Sequence, residues 1–371
     1  LSNKTEGSKV CCLADFKGAP SPVMPEDKTA VKALCDVIDS LNQKHSGGFI
    51  LALRPRVYSK TQGEFTGRER KRGAITDLVN AVKGNGKAFG LIYGDKAELK
   101  NVKYIYALDA DSIPAFDSTA ELVAIAQHPL NRPVINKKLG RVTRGYGIIL
   151  PKSENVVEYT EATLFERIMA GTSGGGFYDT LSAEKYRDLF GESIFCGKGL
   201  IDVEAYYSLL NSDLPEERIL SHDIIEGGYL RAALAGDISV KERIPANATA
   251  WFSRLERWIR GDWQNIRFIF GKNPLNRLSR YKLFDNVLRS LIKPFCVFSI
   301  ISSLFIGKTG IYVSAVSVLA LCADDLISGI KAVIGGGLRA MSRLYYSGAI
   351  PGALTCFARA FISLSFCLVW I

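Results

Sequence analysis

The chain lacks several signatures that would assign it quickly. Its 8 cysteines include no Cys-x-x-Cys pair, so a zinc ribbon or a dithiol redox motif is not expected. Histidine is scarce, with 3 in 371 residues; His45 and His128 have no ligand-like neighbours and read as surface or core residues. No Gly-x-x-x-x-Gly-Lys-Ser/Thr loop occurs, which excludes the P-loop way of holding phosphate. Internal repeats and long low-complexity tracts are absent, and no secretory signal opens the sequence. The chain begins on a polar stretch and closes within an apolar one, Phe361–Ile371, so it is expected to be a piece of a longer protein. Four of the cysteines fall in the apolar C-terminal third, where Cys behaves as a small hydrophobe, and the soluble part fits a reducing compartment.

What is present is basic. Lys and Arg number 47 against 37 Asp and Glu, a net charge of +10. Such an excess fits a phosphate-rich substrate, nucleic acid or an anionic membrane surface. The basic residues concentrate at Arg68–Arg72 and between Arg254 and Arg289, just ahead of the first strongly apolar segment. That placement favours the cytoplasmic face of a membrane.

Short apolar runs alternate with amphipathic stretches through residue 270. Val10–Ala14, Phe49–Leu53, Ala88–Tyr93, Lys103–Leu108 and Gly145–Leu150 read as strands, and Asp27–Leu41, Gly73–Val82 and Asp117–Ala126 as helices. This order predicts an α/β fold with a mostly parallel sheet. Composition shifts near residue 283, which divides the chain into an expected α/β domain, 1–283, and a hydrophobic, membrane-associated helical region, 284–371. Leu291–Ile306 and Ile311–Ala323 are short for a full span of about 20 residues, and Arg359 interrupts the last run, Ala349–Ile371.

The most informative stretch runs from Val102 to Ser112. Tyr104–Leu108 reads as a buried strand, and Asp109 and Asp111 follow at its carboxyl end. Two carboxylates at that spacing can converge on one hard divalent cation and leave positions for a diphosphate. Ligands in open α/β sheets bind beyond the carboxyl ends of strands. Asp-x-Asp is also common there as a turn or cap.

Four further elements carry chemistry. Asp223 opens a helix-like stretch, Ile224–Ala235; it suits a general base, and with Glu226 three residues on it equally has the form of a capping box. Arg254-Leu-Glu-Arg-Trp-Ile-Arg-Gly-Asp-Trp-Gln264 packs Arg254, Arg257 and Arg260 with Trp258, Trp263 and Asp262. Indole faces can brace a sugar and arginines can neutralise a leaving diphosphate; a basic helix lying on a membrane or a nucleic-acid patch are the alternatives. The loop Gly63–Ala74, carrying Lys71 and Arg72 into a helix, can hold phosphate or be a solvated charge run. Gly174–Tyr178 and Phe195-Cys-Gly-Lys-Gly199 supply glycines for close backbone approach, with Lys198 able to meet a phosphate, or are simply flexible turns.

In order, these motifs resemble a processive membrane glycosyltransferase of the GT-A type, Rossmann-like, with His222 and Arg254 standing where that family has Glu and Gln. Leu13-Ala-Asp-Phe16, Met24-Pro-Glu-Asp27, Gly67–Gly73, Phe195–Gly199, Ile219–Asp223 and above all Arg257-Trp-Ile-Arg-Gly-Asp-Trp-Gln264 resemble the transferase domain of cyclic β-1,2-glucan synthases, glycosyltransferase family 84. The resemblance covers about residues 10–300. It implies inverting transfer of glucose from UDP-glucose to a growing β-1,2-glucan acceptor at the inner membrane, by a multi-pass protein with a cytoplasmic catalytic part. It implies Mg²⁺ or Mn²⁺ on Asp109 and Asp111, with Asp223 as base. Asp15, Lys71 and Arg72 would contact the nucleotide. Arg254, Arg257, Trp258, Arg260, Asp262 and Trp263 would hold diphosphate and acceptor, and Gly197, Lys198 and Gly199 would form the acceptor loop. Expected partners are membrane lipid and the remaining domains of a larger polypeptide, and no nucleic acid, since that reading gives the acidic strand-end pair no role. Other readings are a cellulose-like glucan product, or an inactive fragment serving as a membrane scaffold; fold members usually begin with a further nucleotide-binding strand and helix ahead of the point where this chain starts.

Overall fold

A computed structural model describes residues 3, 7–156, 162–170, 180–211, 219, 221–334 and 343–365. Arg218 and the glycines of 174–178 lie outside the described residues. In chain order the elements are β1 (Val10–Asp15), α1 (Asp27–Lys44), β2 (Phe49–Arg54), β3 (Val57–Ser59), β4 (Glu64–Thr66), α2 (Arg70–Val82), β5 (Leu91–Tyr93), β6 (Tyr104–Ala107), β7 (Ile113–Pro114), α3 (Ser118–Gln127), β8 (Val134–Asn136), β9 (Arg141–Arg144), β10 (Ile148–Val156), α4 (Leu164–Ala170), α5 (Thr180–Phe190), β11 (Gly199–Asp202), α6 (Val203–Leu210), α7 (Asp223–Leu230), β12 (Ala232–Arg243), α8 (Ala248–Gln264), α9 (Ile266–Phe270), α10 (Arg277–Ser303), α11 (Lys308–Ile334) and α12 (Arg343–Ser365).

The chain divides into two compact units. The first comprises residues 1–152, 181–240 and 272–279, and the second 153–180, 241–271 and 280–371.

The first unit is mixed α/β, and here the expectation of a mostly parallel sheet needs correction. One sheet has the order β1-β2-β5 and a second the order β6-β11-β10-β12-β7. β1 and β2 are parallel, joined by the crossover helix α1. The β2–β5, β6–β11 and β10–β11 pairs are antiparallel. The continuous apolar run Phe49–Leu53 is buried along its length, as a strand covered on both faces must be. Ile50 and Ala52 meet Leu78 of α2, while Leu51 and Leu53 meet Ile38 of α1. Leu122 of α3 packs with Ile149, Leu200 and Ile238 beneath the second sheet.

The largest local departure is at Ile224–Ala235. The helix ends at Leu230, Arg231 turns at φ +57°, and Ala232 begins the 12-residue strand β12. Apolar residues in Ala232–Val240 then alternate with partly exposed ones, the period-two pattern of a strand.

The second unit is helical in its described C-terminal part. Arg359 of α12 donates to Asp325 of α11 at 2.9 Å, and Cys296, Leu321, Cys322 and Ala360 form a small core across α10, α11 and α12. The run Ile311–Ala323 belongs to a longer helix than its apolar stretch suggested. Among the described residues one helix, Lys308–Lys331, is long and apolar enough to cross a membrane, and Ile350–Ile362 is a shorter apolar segment. The multi-pass expectation therefore has no second spanning helix to support it among those residues.

Candidate functional site

Asp109 is the centre of the site in the first unit. β6 ends at Ala107, and Asp109 starts a turn closed by Ser112, whose amide donates to the Asp109 carbonyl at 3.1 Å. Lys71, in the first turn of α2, donates to Asp109 Oδ1 at 2.5 Å. Lys198 lies 3.2 Å from Oδ2. Burial opposes ionisation of Asp109, but the two ammonium groups outweigh it and hold the carboxyl below its ordinary range. Asp111 lies exposed in the same turn.

Asp223 stands near this pair. Gly197 has φ +82°, and a Cβ there would lie 3.1 Å from Asp223 Oδ1; glycine is the residue that permits both the backbone angle and the approach. The charges of Lys71 and Asp109 both reach Asp223. Its pKa is raised, first by burial and then by Glu226 and Asp109, with His222 and Lys71 offsetting part of the rise. The capping box does not form: His222 occupies the N-cap and no side chain caps α7. Glu226, 1% exposed, instead accepts from the Tyr206 hydroxyl at 3.2 Å.

Asp15 closes β1 and is gripped by Arg54, whose Nε and Nη2 donate to its two oxygens at 2.7 and 2.5 Å. Arg54, 2% exposed, also donates to Asp77 and to the carbonyls of Arg68 and Arg70. The loop before α2 thus folds around one guanidinium. Glu69 and Arg70 both take positive φ there, +55° and +48°, a local strain that the Arg54 bonds offset. Arg72 turns inward, 6% exposed, and pairs with Glu69. Sequence reasoning missed Arg54; its signal was an arginine ending a fully apolar strand.

Asp15, Lys71, Asp109 and Ala110 line a cleft of about 1330 Å³ whose other walls combine apolar residues of β1, β6, α2 and α3 with charged ones, among them Lys9, Glu98 and Lys103. That exceeds the roughly 300–1,000 Å³ of common ligand pockets. The donor set also bears on the expected cation. Asp109 is an ionised, half-buried oxygen donor beside a second carboxylate in the same turn, which suits hard Mg²⁺ or Mn²⁺. Its present partners are ammonium groups on flexible stems, able to turn towards the oxygens of an anionic ligand.

The α8 residues belong to the second unit. Asn247 caps the helix, its side chain accepting from the Ala250 amide at 2.9 Å. Arg254 lies over the Trp258 ring at 4.8 Å, and Arg260 pairs with Glu256. Asp262 is buried and accepts from Asn286 at 3.3 Å, and Trp263 Nε1 donates to Ser290 at 3.0 Å. Arg257 is exposed. Asp262 and Trp263 thus join α8 to α10, an attachment the motif alone did not reveal.

No protein-family model matches the chain. A curated relative does: the cyclic β-(1,2)-glucan synthase NdvB of Rhizobium meliloti (strain 1021) is 35% identical over 286 residues, 76% of this chain. The chain spans about a tenth of that relative's length. Over the matched residues, the chain is a cyclic β-(1,2)-glucan synthase-related domain.

Proposed function

We propose that the chain is a glucosyltransferase domain that moves glucose, with inversion, from UDP-glucose to a β-1,2-glucan at the cytoplasmic face of a membrane. The observation that carries this reading is the convergence of Lys71, Lys198 and Asp109 beside Asp223, at the end of β6 and beside a cleft. Two ammonium groups suit a diphosphate. A carboxylate with a raised pKa suits a general base.

In this reading the acceptor 2-hydroxyl gives its proton to Asp223 as its oxygen attacks the anomeric carbon, and the bond from that carbon to the diphosphate breaks. The negative charge that gathers on the departing UDP falls to Lys71 and Lys198, whose interactions strengthen as it develops. Asp109 and Asp111 would hold Mg²⁺ or Mn²⁺, which supplies Lewis-acid neutralisation of the diphosphate when bound. Asp15, braced by Arg54, would face the nucleoside.

The test is calorimetry with UDP and Mn²⁺ on the chain, with linkage analysis of glucan made from labelled UDP-glucose by the whole polypeptide. Metal-dependent UDP binding that Asp109→Ala weakens, and a 1,2-linked product, are expected. Absence of UDP binding would mean a scaffold, and another linkage would mean another glucan.

A further inference from the structure

His222 occupies an unusual position. Its Nδ1 lies 3.2 Å from Glu226 Oε2 and 3.4 Å from Asp223 Oδ1. Its side chain is 13% exposed and that of Glu226 1%, whereas that of Asp223 keeps 32%. A carboxylate as deeply buried as Glu226 requires a counter-charge or strong donors. The Tyr206 hydroxyl donates to its Oε1 at 3.2 Å and accepts from Thr76 Oγ1 at 3.0 Å, whose single proton is shared between Tyr206 and the Arg72 carbonyl, also at 3.0 Å. These partners are neutral. Arg72 is committed to Glu69. The basic group beside Glu226 Oε2 is therefore the imidazole of His222.

We propose that His222 is a positioning residue for the base: held beside Glu226 by an ionic contact and not by a formed hydrogen bond, its ring draws Oδ1 of Asp223 towards α7 and leaves Oδ2 to take the acceptor proton. The proposal rests on Asp223 being the base. It gives a role to the buried Glu226–Tyr206–Thr76 chain, which reaches from α7 through α6 to α2 and which the transfer step otherwise does not use. The titratable groups around His222 favour its charged form on balance. Burial and Arg72 oppose protonation, and Glu226 and Asp223 outweigh them, so its pKa is raised. The same three residues could instead gather a metal, since their ligand atoms lie within 4.8 Å of one another. A cation there would occupy Asp223 and remove it as a base.

Two measurements test this. The first follows the imidazole resonances of the chain's 3 histidines by NMR against pH, assigned by His45→Gln and His128→Gln. His222 is expected to titrate above the ordinary value of about 6.5, and Glu226→Gln to lower it. Titration at or below 6.5, unmoved by Glu226→Gln, overturns the proposal, as does a Zn²⁺ titration of the Asp109→Ala variant that shifts His222 with micromolar affinity. The second assays the whole polypeptide. His222→Gln should lower kcat about tenfold or more, leave the UDP-glucose KM within about twofold, and move the acid limb of the pH profile upward. An unmoved profile also overturns it. Failure of the unaltered protein to transfer glucose would reject the transferase reading instead, without touching the NMR result.

Discussion

Lys71 Nζ donates to Asp109 Oδ1 at 2.5 Å across 38 positions of sequence, tying the first turn of α2 to the carboxyl end of β6. The lysine's side chain is 32% exposed and the aspartate's 39%, so the contact adds little to stability and its value lies in where it sets two charges. Lys71→Met should weaken UDP binding by about tenfold, roughly the 1.4 kcal/mol of one charge-assisted bond, with little change in unfolding temperature. Calorimetry and a thermal melt on the same sample check both halves.

Arg54 predicts the opposite balance. Its guanidinium satisfies Asp15, the buried Asp77 and two carbonyls, so Arg54→Leu leaves the buried Asp77 to the more exposed Arg68 at 3.4 Å and frees a strained loop. A loss of about 3–5 kcal/mol is expected, seen in denaturant unfolding of the first unit. Arg54→Lys should recover only part of it, because an ammonium cannot grip Asp15 with two parallel bonds.

Gly197→Ala puts a methyl group 3.1 Å from Asp223 Oδ1 at φ +82°. The backbone term costs about 1–2 kcal/mol, and the carboxylate has to shift. Glucan synthesis by the whole polypeptide should fall further than UDP binding does; equal losses in both would assign Gly197 to the nucleotide alone.

The pair Arg359–Asp325 links α11 to α12 with the arginine 9% exposed. Removing either partner alone should loosen the hairpin, because a poorly solvated charge is left unpaired, whereas replacing both with apolar residues of similar volume should restore much of the loss. Thermal unfolding in detergent of the two single variants and the double variant measures the coupling.

The lowered pKa of Asp109 fixes a pH dependence. Its folded value lies below the unfolded one, so the small stability it contributes is present above the unfolded pKa and is lost as pH falls through the folded value. UDP binding should decline over that acidic range, and Lys71→Met should move the decline to higher pH. Binding isotherms at several pH values decide this.

Strands with a single unbroken apolar run were legible: Val10–Ala14 and Phe49–Leu53 match β1 and β2 almost residue for residue. Asp109 and Asp223 stood out because a carboxylate at the end of an apolar strand or at a helix start is a local signal. Their surroundings were not legible. Lys198 read as part of an acceptor loop, yet it lies on Asp109, a pairing made by β11 returning beside β6. Glu226 had the spacing of a cap, and tertiary partners Tyr206 and His222 claimed it instead. The strand β12 was hidden because Ile224–Ala235 is apolar enough to continue a helix, and the positive φ of Arg231 that ends it has no marker in sequence.

The most direct test is Asp223→Asn in the whole polypeptide, with glucan synthesis from labelled UDP-glucose and UDP-glucose affinity measured side by side. Synthesis should fall by about 10²–10⁴-fold, the usual contribution of a general base, while affinity stays within about twofold. Near-normal polymerisation by this variant would contradict the assignment of Asp223 as the residue that takes the acceptor proton.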